Sequence, residues 1–200
     1  MGLTKILTRT PHPMLEKLLP NLSAEDLDVI RPMLVEKKAP RGAILLEMGK
    51  DDRDIYLVSE GTCEIYQKFF IAGKLFALRV ASVNAPLMLG ETNMLLGEKR
   101  SAAVVVSADT TYYVLPYEKV QEIKEQHPAI AIKFLEHIAA MVSRRFTNQQ
   151  TNMRDKLLHS VDSPNMGVKY LRRFIGDVHV CSPALAKKLF NMEQPYYEDA

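Results

Sequence analysis

The amino-acid sequence predicts an α+β protein in which a small antiparallel β-roll, similar to a jelly roll, lies between helical segments. Three features carry this prediction. Apolar residues recur at helical spacing before residue 39, six short apolar runs rich in Val, Ile and Tyr follow up to about residue 116, and helical spacing then returns. Six or more short strands within about 75 residues make a small roll and not two sheets of full-length strands.

The composition is that of one folded domain of ordinary size, or of one domain with a small appendage. The chain has 200 residues, of which 47% are hydrophobic and 25% are charged, a balance that excludes general disorder. Lys and Arg number 26 against 24 Asp and Glu, so the formal net charge is +2. Nucleic-acid binding usually goes with a stronger basic excess, and the charge therefore does not indicate it.

The two cysteines, Cys63 and Cys181, lie far apart, and neither belongs to a CxxC motif or a Cys/His cluster. This pattern argues against a disulfide scaffold and a structural zinc site. We expect two buried free thiols, no metal and no cofactor. No stretch approaches the roughly 20 apolar residues that span a bilayer, and the start of the chain lacks a signal-peptide pattern. We therefore expect a cytoplasmic protein that does not enter a membrane.

Two short helices are predicted before the roll. The first is a turn or two within residues 14–19. Ser23 followed by Asp26 is typical of a capping box at the start of the second helix. Its apolar stripe continues to Leu34, and we expect the helix to end near residues 36–38.

The predicted strands are the short apolar runs bounded by Gly, Asn and Pro, with Gly49 and Gly61 as turn glycines. They span residues 43–46, 55–58, 63–66, 75–78, 102–106 and 112–115. The interval 41–116 contains no histidine, whereas a metal-binding enzyme of the cupin type would need several there. The chain also has no Gly-x-Ser-x-Gly elbow, and catalysis is not expected.

Helices return after the strands. Residues 117–126 predict a short helix, and Pro128 suits the first position of a long one. Apolar residues recur along this long helix at three- and four-residue steps over residues 131–142. The stripe motivates a homodimer formed through residues 128–146. Two further helical patterns follow, at residues 168–175 and 184–190.

The segment 88–102 differs from the strands around it. Apolar residues flank the pair Gly90-Glu91, and Gly97 permits a tight reversal of the chain before Arg100. A glycine before a short helix leaves first-turn N–H groups free for an anion, and Arg100 can return to the same place. A carboxylate beside an anion site suggests that it accepts hydrogen bonds from hydroxyls, such as those of a ribose. Spacing alone leaves the alternative that Glu91 and Arg100 pair with each other across the turn.

Gly90-Glu91, followed nine residues after Glu91 by Arg100-Ser101-Ala102, resembles the phosphate-binding cassette of the cyclic nucleotide-binding domain family. This family includes the catabolite activator protein and the kinase regulatory subunits. The similarity extends to the family's N-terminal helices, its first two strands and the long helix after its roll. The corresponding segments are residues 18–27, 41–49, 54–61 and 127–145, so that the resemblance covers about residues 14–150.

The resemblance implies that Arg100 pairs with the cyclic phosphate and that Glu91 accepts a hydrogen bond from the ribose 2′-hydroxyl. It also implies backbone donors from Gly90, Glu91 and Thr92. The remaining residues assigned to the site are Ser101 and Ala102 in the cassette, with Met88 and Leu89 as apolar pocket wall or plain core. A hydroxyl at Ser101 can touch phosphate or a guanine edge, and it does not separate cAMP from cGMP.

In relatives, the long helix places a side chain against the purine. The candidates for this base contact are Arg145 and Gln149, among neighbours that include Arg144, Thr147, Asn148 and Gln150. Arg145 lies in register with the apolar stripe and would face the roll or a partner helix. The alternative for Arg145 is a charge that extends outward into solvent.

The last 50 residues are short for the winged helix-turn-helix of this family's transcription factors. Residues 182–189 resemble a first helix of such a motif, but residues 191–197 leave no length for a recognition helix. Residues 151–200 hold seven Lys and Arg and six Asp and Glu, which gives no basic face for DNA.

We therefore expect a cyclic nucleotide sensor, and not an enzyme, that signals to a dimer mate or protein partner through movement of the long helix. The expected parts are a roll with N-terminal helices in residues 1–126, a dimer or hinge helix in 127–150 and a helical extension in 151–200. The alternatives are a Crp/Fnr-type transcription regulator with a compact or degenerate DNA-binding tail, and a structural module that has lost its ligand.

Overall fold

The computed structural model describes residues 13–71, 74–161, 179–180 and 182–192. Two short helices precede the strands, a third interrupts them, and the remaining helices follow the roll. In chain order the elements are α1 (Pro13–Leu18), α2 (Ala24–Ile30), β1 (Val35–Ala39), β2 (Ile44–Leu46), β3 (Ile55–Glu60), β4 (Thr62–Ile71), β5 (Lys74–Asn84), β6 (Leu87–Leu89), α3 (Glu91–Leu96), β7 (Ala103–Val106), β8 (Thr110–Leu115), α4 (Tyr117–Gln126), α5 (Pro128–Val161), β9 (His179–Val180) and α6 (Pro183–Phe190).

The strands form two antiparallel sheets, which confirms the predicted α+β roll. The first sheet has the order β1-β8-β3-β6 and the second has the order β2-β7-β4-β5-β9. The segment 88–102 is not free of strand, because Leu87–Leu89 pairs with Tyr56–Val58 of β3. Three residues are too few to show the alternation on which a strand prediction depends.

The capping box before α2 is confirmed. The Ser23 hydroxyl accepts from the Asp26 N–H at 3.2 Å, and the Asp26 carboxylate accepts from the Ser23 N–H at 3.0 Å. The expected helix end at residues 36–38 is wrong, since α2 ends at Ile30 and a short 3₁₀ turn that contains Pro32 follows. Proline interrupts the helical hydrogen bonds, and the next residues pair with β8 instead.

Three hydrophobic clusters build the core. One lies between the two sheets, one joins the first sheet to the helices, and one covers the outer face of the second sheet. Strand β7 shows the division most clearly, because all four of its residues are buried. Val104 and Val106 belong to the cluster between the sheets, whereas Ala103 and Val105 belong to the outer cluster.

The helix α5 begins at Pro128, as expected, and continues beyond residue 150 to Val161. Its 34 residues span about 51 Å. Phe134 and Ile138 are fully buried in the cluster that joins the helices to the first sheet, together with Ala131. The apolar stripe over residues 131–142 therefore packs largely on this chain's own roll.

Among the described residues, no helix combines the length and the apolar character needed to cross a membrane. The helix predicted at residues 184–190 is present as α6, whereas the pattern at 168–175 and Cys181 fall outside the described residues. Cys63 is a buried free thiol, as expected, and its burial raises the pKa of the thiol to about 11.

Candidate functional site

The short helix α3 and the loop after it form the centre of the site. Gly90 precedes α3 with φ +89° and Gly97 ends it with φ +70°, backbone conformations that favour glycine. A Cβ atom on Gly90 would lie 2.5 Å from Arg100 Nη1 and 2.5 Å from the carbonyl oxygen of Asp54. Glycine at position 90 therefore allows the Arg100 guanidinium to approach the start of α3 closely.

The Arg100 side chain is only 1% exposed. Its Nη2 donates to the Asp54 carbonyl oxygen at 2.8 Å and to the Asp52 carboxylate, and its Nη1 donates to the Gly90 carbonyl oxygen at 3.2 Å. The guanidinium lies 5.6 Å from the centre of the Tyr56 ring. Its buried Nε has no hydrogen-bond partner among the described residues. Arg100 thus keeps an unused donor beside a counter-ion that is itself partly exposed.

The backbone of Arg100 is fixed by the turn between β2 and β3. The Arg100 N–H donates to the Lys50 carbonyl oxygen at 2.8 Å, and its own carbonyl oxygen accepts from the Gly49 N–H at 2.8 Å. Gly49 has φ +87°, as expected of a turn glycine. This pair of bonds sets where the guanidinium enters the site.

Glu91 lies in the first turn of α3 and is 5% exposed. Arg145 of α5 donates from Nη1 to Glu91 Oε1 at 2.5 Å and from Nη2 to the Met88 carbonyl oxygen at 2.8 Å. Glu91 and Arg100 therefore have different partners, and the alternative in which they pair with each other is wrong. Arg145 faces the roll, and its side chain remains 43% exposed.

The other cassette residues differ in exposure. Thr92 and Ser101 are exposed and Ala102 is half-buried, so that both polar side chains are accessible from solvent. Met88 packs in the cluster between helices and sheet, whereas Leu89 packs between the two sheets. Both residues assigned to the pocket wall are thus core side chains.

Of the residues considered for a base contact, Arg145 is the one that the structure brings to Glu91. The Thr147 hydroxyl donates to the Ser143 carbonyl oxygen of its own helix at 3.0 Å. The side chain of Gln149 lies outside the described part of the chain. The remaining candidates are exposed on α5, namely Arg144, Asn148 and Gln150.

The sequence interpretation missed the residues before β3. Asp52 contacts the Arg100 guanidinium, and the Asp54 carboxylate accepts from the Tyr117 N–H at 2.9 Å. Arg53 donates to the Gly97 carbonyl oxygen at 3.2 Å and lies 5.3 Å from the centre of the Tyr117 ring. The available signal was the run of four charged residues at 51–54, directly before an apolar strand.

Tyr56 lies beside Arg100, and the pKa of its phenol is shifted by partial burial. Burial raises the pKa of the Tyr56 phenol to about 12, with a further contribution from the negative charge of Asp52. The neutral phenol beside the guanidinium leaves Asp52 as the charged group that the structure pairs with it. Among the described residues, no cluster of His, Cys, Asp and Glu could hold a metal ion.

Comparison with solved structures shows the fold. The chain is similar to a cyclic nucleotide-binding domain from Methylobacillus flagellatus at 22% identity and a TM-score of 0.65, covering 71% of this chain and 83% of that one. It is also similar to the catabolite activator protein of Thermus thermophilus, at 22% identity and a TM-score of 0.54, over 70% of this chain and 61% of that one. A third similar structure is the c-di-GMP responsive regulator CLP of Xanthomonas campestris, at 14% identity and a TM-score of 0.58, over 84% of this chain and 90% of that one.

Comparison with protein families and curated sequences gave two results. No curated protein matches the sequence. Residues 36–127 match the family described as the cyclic nucleotide-binding domain, and this interval contains most of β1, the strands β2 to β8, the cassette and α4. The part of the chain between residues 36 and 127 therefore belongs to the cyclic nucleotide-binding domain family.

Proposed function

We propose that the cassette binds a cyclic mononucleotide, cAMP or cGMP, and that the chain acts as a sensor rather than as an enzyme. The observation that carries the proposal is the environment of Arg100. A fully buried guanidinium with an unpartnered Nε faces a partly exposed counter-ion. A cyclic phosphate supplies two free oxygens for such a group, and charged hydrogen bonds are the strong ones. Glu91 stands nearby as an acceptor for ribose hydroxyls.

Binding of the phosphate would replace one charged partner of Arg100 by another. The Asp52 side chain is 35% exposed, so that it can turn toward water when the phosphate arrives. The exchange keeps the buried guanidinium paired throughout, which avoids the large cost of an isolated buried charge. The backbone carbonyl groups of Asp54 and Gly90 hold the guanidinium in place during this exchange.

The contact between Arg145 and Glu91 would link the ligand to the long helix. A ribose hydroxyl that donates to Glu91 competes with Arg145 for the same carboxylate. Ligand binding would therefore weaken one of the contacts that hold this part of α5 against the roll. A ligand shifts a conformational equilibrium only by its differential affinity for the two states, and the shared carboxylate supplies such a difference.

The long helix also carries a second apolar stripe, which we propose forms a homodimer. Ile132, Ala139 and Phe146 are spaced by seven residues and are all exposed, Ile132 and Phe146 at 59% each. Leu135 and Val142 follow three residues after Ile132 and Ala139, and they are half-buried because one side of each packs against the cluster that joins the helices to the first sheet. Apolar residues at the a and d positions of a heptad repeat pack against the same stripe of a second helix. The dimer would thus use residues 128–146, along an exposed face that borders the buried stripe.

We do not favour the transcription-regulator alternative. The helix α6, which lies where the sequence resembles a helix-turn-helix motif, buries Ala186, Leu189 and Phe190 against the roll. We propose instead that a cytoplasmic protein partner or the dimer mate reads the position of α5.

Thermal unfolding with cAMP and with cGMP tests nucleotide binding. A ligand present at about 100 times its dissociation constant adds roughly 2.7 kcal/mol to the free energy of unfolding. We expect one or both nucleotides to raise the melting temperature of the wild type and of Lys99→Ala, which removes an exposed positive charge. The shift should disappear in Arg100→Ala. In the isosteric Glu91→Gln variant, we expect affinity to fall about tenfold or more.

The same measurements can also contradict the proposal. A wild type that melts cooperatively and gains no stability from either nucleotide would overturn it. An equal loss of the shift in Lys99→Ala and in Arg100→Ala would point to non-specific electrostatic attraction. Because Glu91→Gln preserves shape and volume, it keeps the test valid if Arg100→Ala does not fold.

A further inference from the structure

The described residues after α5 contact the second sheet, residues 179–180 at its edge as β9 and residues 182–192 on its outer face. Helix α6 contributes Ala186, Leu189 and Phe190, which are 0%, 9% and 8% exposed. The surface beneath it consists of apolar side chains from four strands and from the turn after β2. These are Ile44, Met48, Tyr66, Ala77, Ala103 and Val105.

Polar contacts fix the position of this segment. Ser182 caps the start of α6, and Lys188 Nζ donates to the Gly42 carbonyl oxygen at 3.1 Å. The Lys68 ammonium lies 5.4 Å from the centre of the Phe190 ring. Upstream of α6, strand β9 pairs with Leu78 and Arg79 of β5. The segment is thus held at both ends by directional contacts as well as by apolar packing.

The surface under α6 is continuous with the supports of Arg100. Met48 belongs to the cluster beneath α6 and immediately precedes Gly49, whose N–H donates to the Arg100 carbonyl oxygen at 2.8 Å. Ala103 also belongs to this cluster and follows Arg100 by three residues. The cassette is therefore anchored at its downstream end by backbone whose side chains pack in the same cluster as α6.

We propose that residues 179–180 and 182–192 form a regulatory clamp whose docking on the second sheet supports the phosphate site. Docking holds Met48 and Ala103, and through them the backbone on both sides of the Gly49–Arg100 hydrogen bond. Release of the clamp would loosen these anchors and weaken nucleotide binding. Because coupling between two sites is reciprocal, a bound nucleotide would also hold α6 more firmly in place. The part of this inference that concerns nucleotide binding rests on the proposed function.

Two aspartate substitutions in the full chain provide a matched test. Ala186 is fully buried on the face of α6 that packs on the sheet, whereas Ala184, two residues earlier on the same helix, is exposed. Ala186→Asp places a charge in the apolar contact and should undock α6, whereas Ala184→Asp makes the same chemical change in solvent. Hydrogen exchange of backbone amides reports docking and the state of the phosphate site without any ligand.

In Ala186→Asp, we expect the amides of α6, Gly49 and Arg100 to exchange at least about fivefold faster, and affinity for cAMP or cGMP to fall about fivefold. Ala184→Asp should behave as the wild type. Saturating nucleotide should slow exchange of the α6 amides in the wild type.

Two results would overturn the clamp. In the first, the α6 amides of Ala186→Asp lose protection while those of Gly49 and Arg100 exchange as in the wild type. In the second, α6 stays protected in Ala186→Asp, which would show that this face does not hold it. If the wild type binds neither nucleotide, the exchange measurements still decide about the clamp, so the two proposals can fail separately.

Discussion

Asp52 is the residue that most directly opposes a ligand at Arg100. Its carboxylate contacts Nη2 of the buried guanidinium, in the position where a phosphate oxygen would have to act. The two groups are 48 positions apart in sequence, and strand β3 follows Asp52 while the cassette precedes β7. Under the proposed function, the nucleotide affinity depends on how strongly this internal carboxylate competes with the phosphate.

The Asp52→Asn variant tests this competition. We expect it to bind the nucleotide roughly threefold to tenfold more tightly, since the phosphate no longer displaces a charged partner, and the partial exposure of Asp52 limits the gain. Without ligand, the variant should melt at a lower temperature, because the buried guanidinium has lost its counter-charge. Isothermal titration calorimetry and thermal unfolding measure the two effects.

Asp51→Asn is the matched control. Asp51 is exposed, and its substitution changes the net charge by the same amount one residue earlier. Its affinity should stay near that of the wild type. A lower affinity in Asp52→Asn than in Asp51→Asn would contradict competition and would show that Asp52 orients Arg100 for the ligand.

The contact between Gly90 and Arg100 could be predicted because both residues lie within one short segment. Gly90, Glu91 and Arg100 share a local spacing that the sequence displays directly. The partners Asp52 and Arg145 come from other elements, 48 and 54 positions away from their contacts. Such pairings depend on how the strands and α5 pack, and no local pattern encodes them.

At the scale of elements, α5 carries two sets of apolar residues that differ in their exposure to solvent. Phe134 and Ile138 are fully buried against the roll, whereas Ile132 and Phe146 are largely exposed. The sequence shows both sets of residues at helical spacing, and periodicity alone does not say which one meets the core. The packing of α5 on α4 and on the first sheet makes that choice.

The exposed face of α5 predicts the assembly state. We expect the wild type to be a dimer at micromolar concentration and Phe146→Asp to weaken self-association by about 30-fold or more, as for a buried aromatic in an interface. Sedimentation velocity over a range of concentrations measures this change.

Asn148→Asp serves as the control for Phe146→Asp, because it adds the same charge at an exposed position two residues further along the helix. It should remain dimeric. A wild type that sediments as a monomer at tens of micromolar would refute the dimer, and equal effects of the two substitutions would show that charge and not the apolar face is responsible.

Strand prediction succeeded where short apolar runs mark the strands and failed where pairing partners decide the structure. The six predicted runs lie in or overlap β2, β3, β4, β5, β7 and β8. The strand β1 was missed because its residues are mostly exposed, with only Ala39 buried, and follow a helical stripe. Its structure comes from the ladder with β8, which lies about 75 positions later in the chain.

For the molecule as a whole, α5 joins the N-terminal helices to the roll. Lys133 donates to the Asp26 carboxylate at 2.7 Å, and this contact lowers the pKa of Asp26. Four positions after Lys133, the half-buried His137 forms a hydrogen bond with the Leu18 backbone. Burial, and next the positive charge of Arg144, lower the pKa of His137 below its usual 6.5.

This shift gives the folding stability a defined pH dependence. Because the folded state lowers the pKa of His137, the unfolded chain binds the proton more readily near pH 6.5. The contribution of His137 to the free energy of unfolding is therefore unchanged well above pH 6.5 and falls as the pH drops below it.

We expect His137→Gln to lose less stability than the wild type between pH 7.5 and about 5.5, as measured by urea unfolding at several pH values. The difference between the two curves removes the contribution of the carboxylates that they share. Parallel curves for the two proteins would contradict the assignment.

The short strand β9 has a consequence for the edge of the second sheet. Strand β5 is eleven residues long, and without β9 its outer side would present a row of unpaired backbone N–H and C=O groups. Such exposed edges are templates for pairing with other chains and for aggregation. The pairing of β9 with Leu78 and Arg79 interrupts this row near its middle. We therefore expect β9 to limit pairing at this edge, and a shortened form of the protein that is prepared for study should extend at least to residue 192.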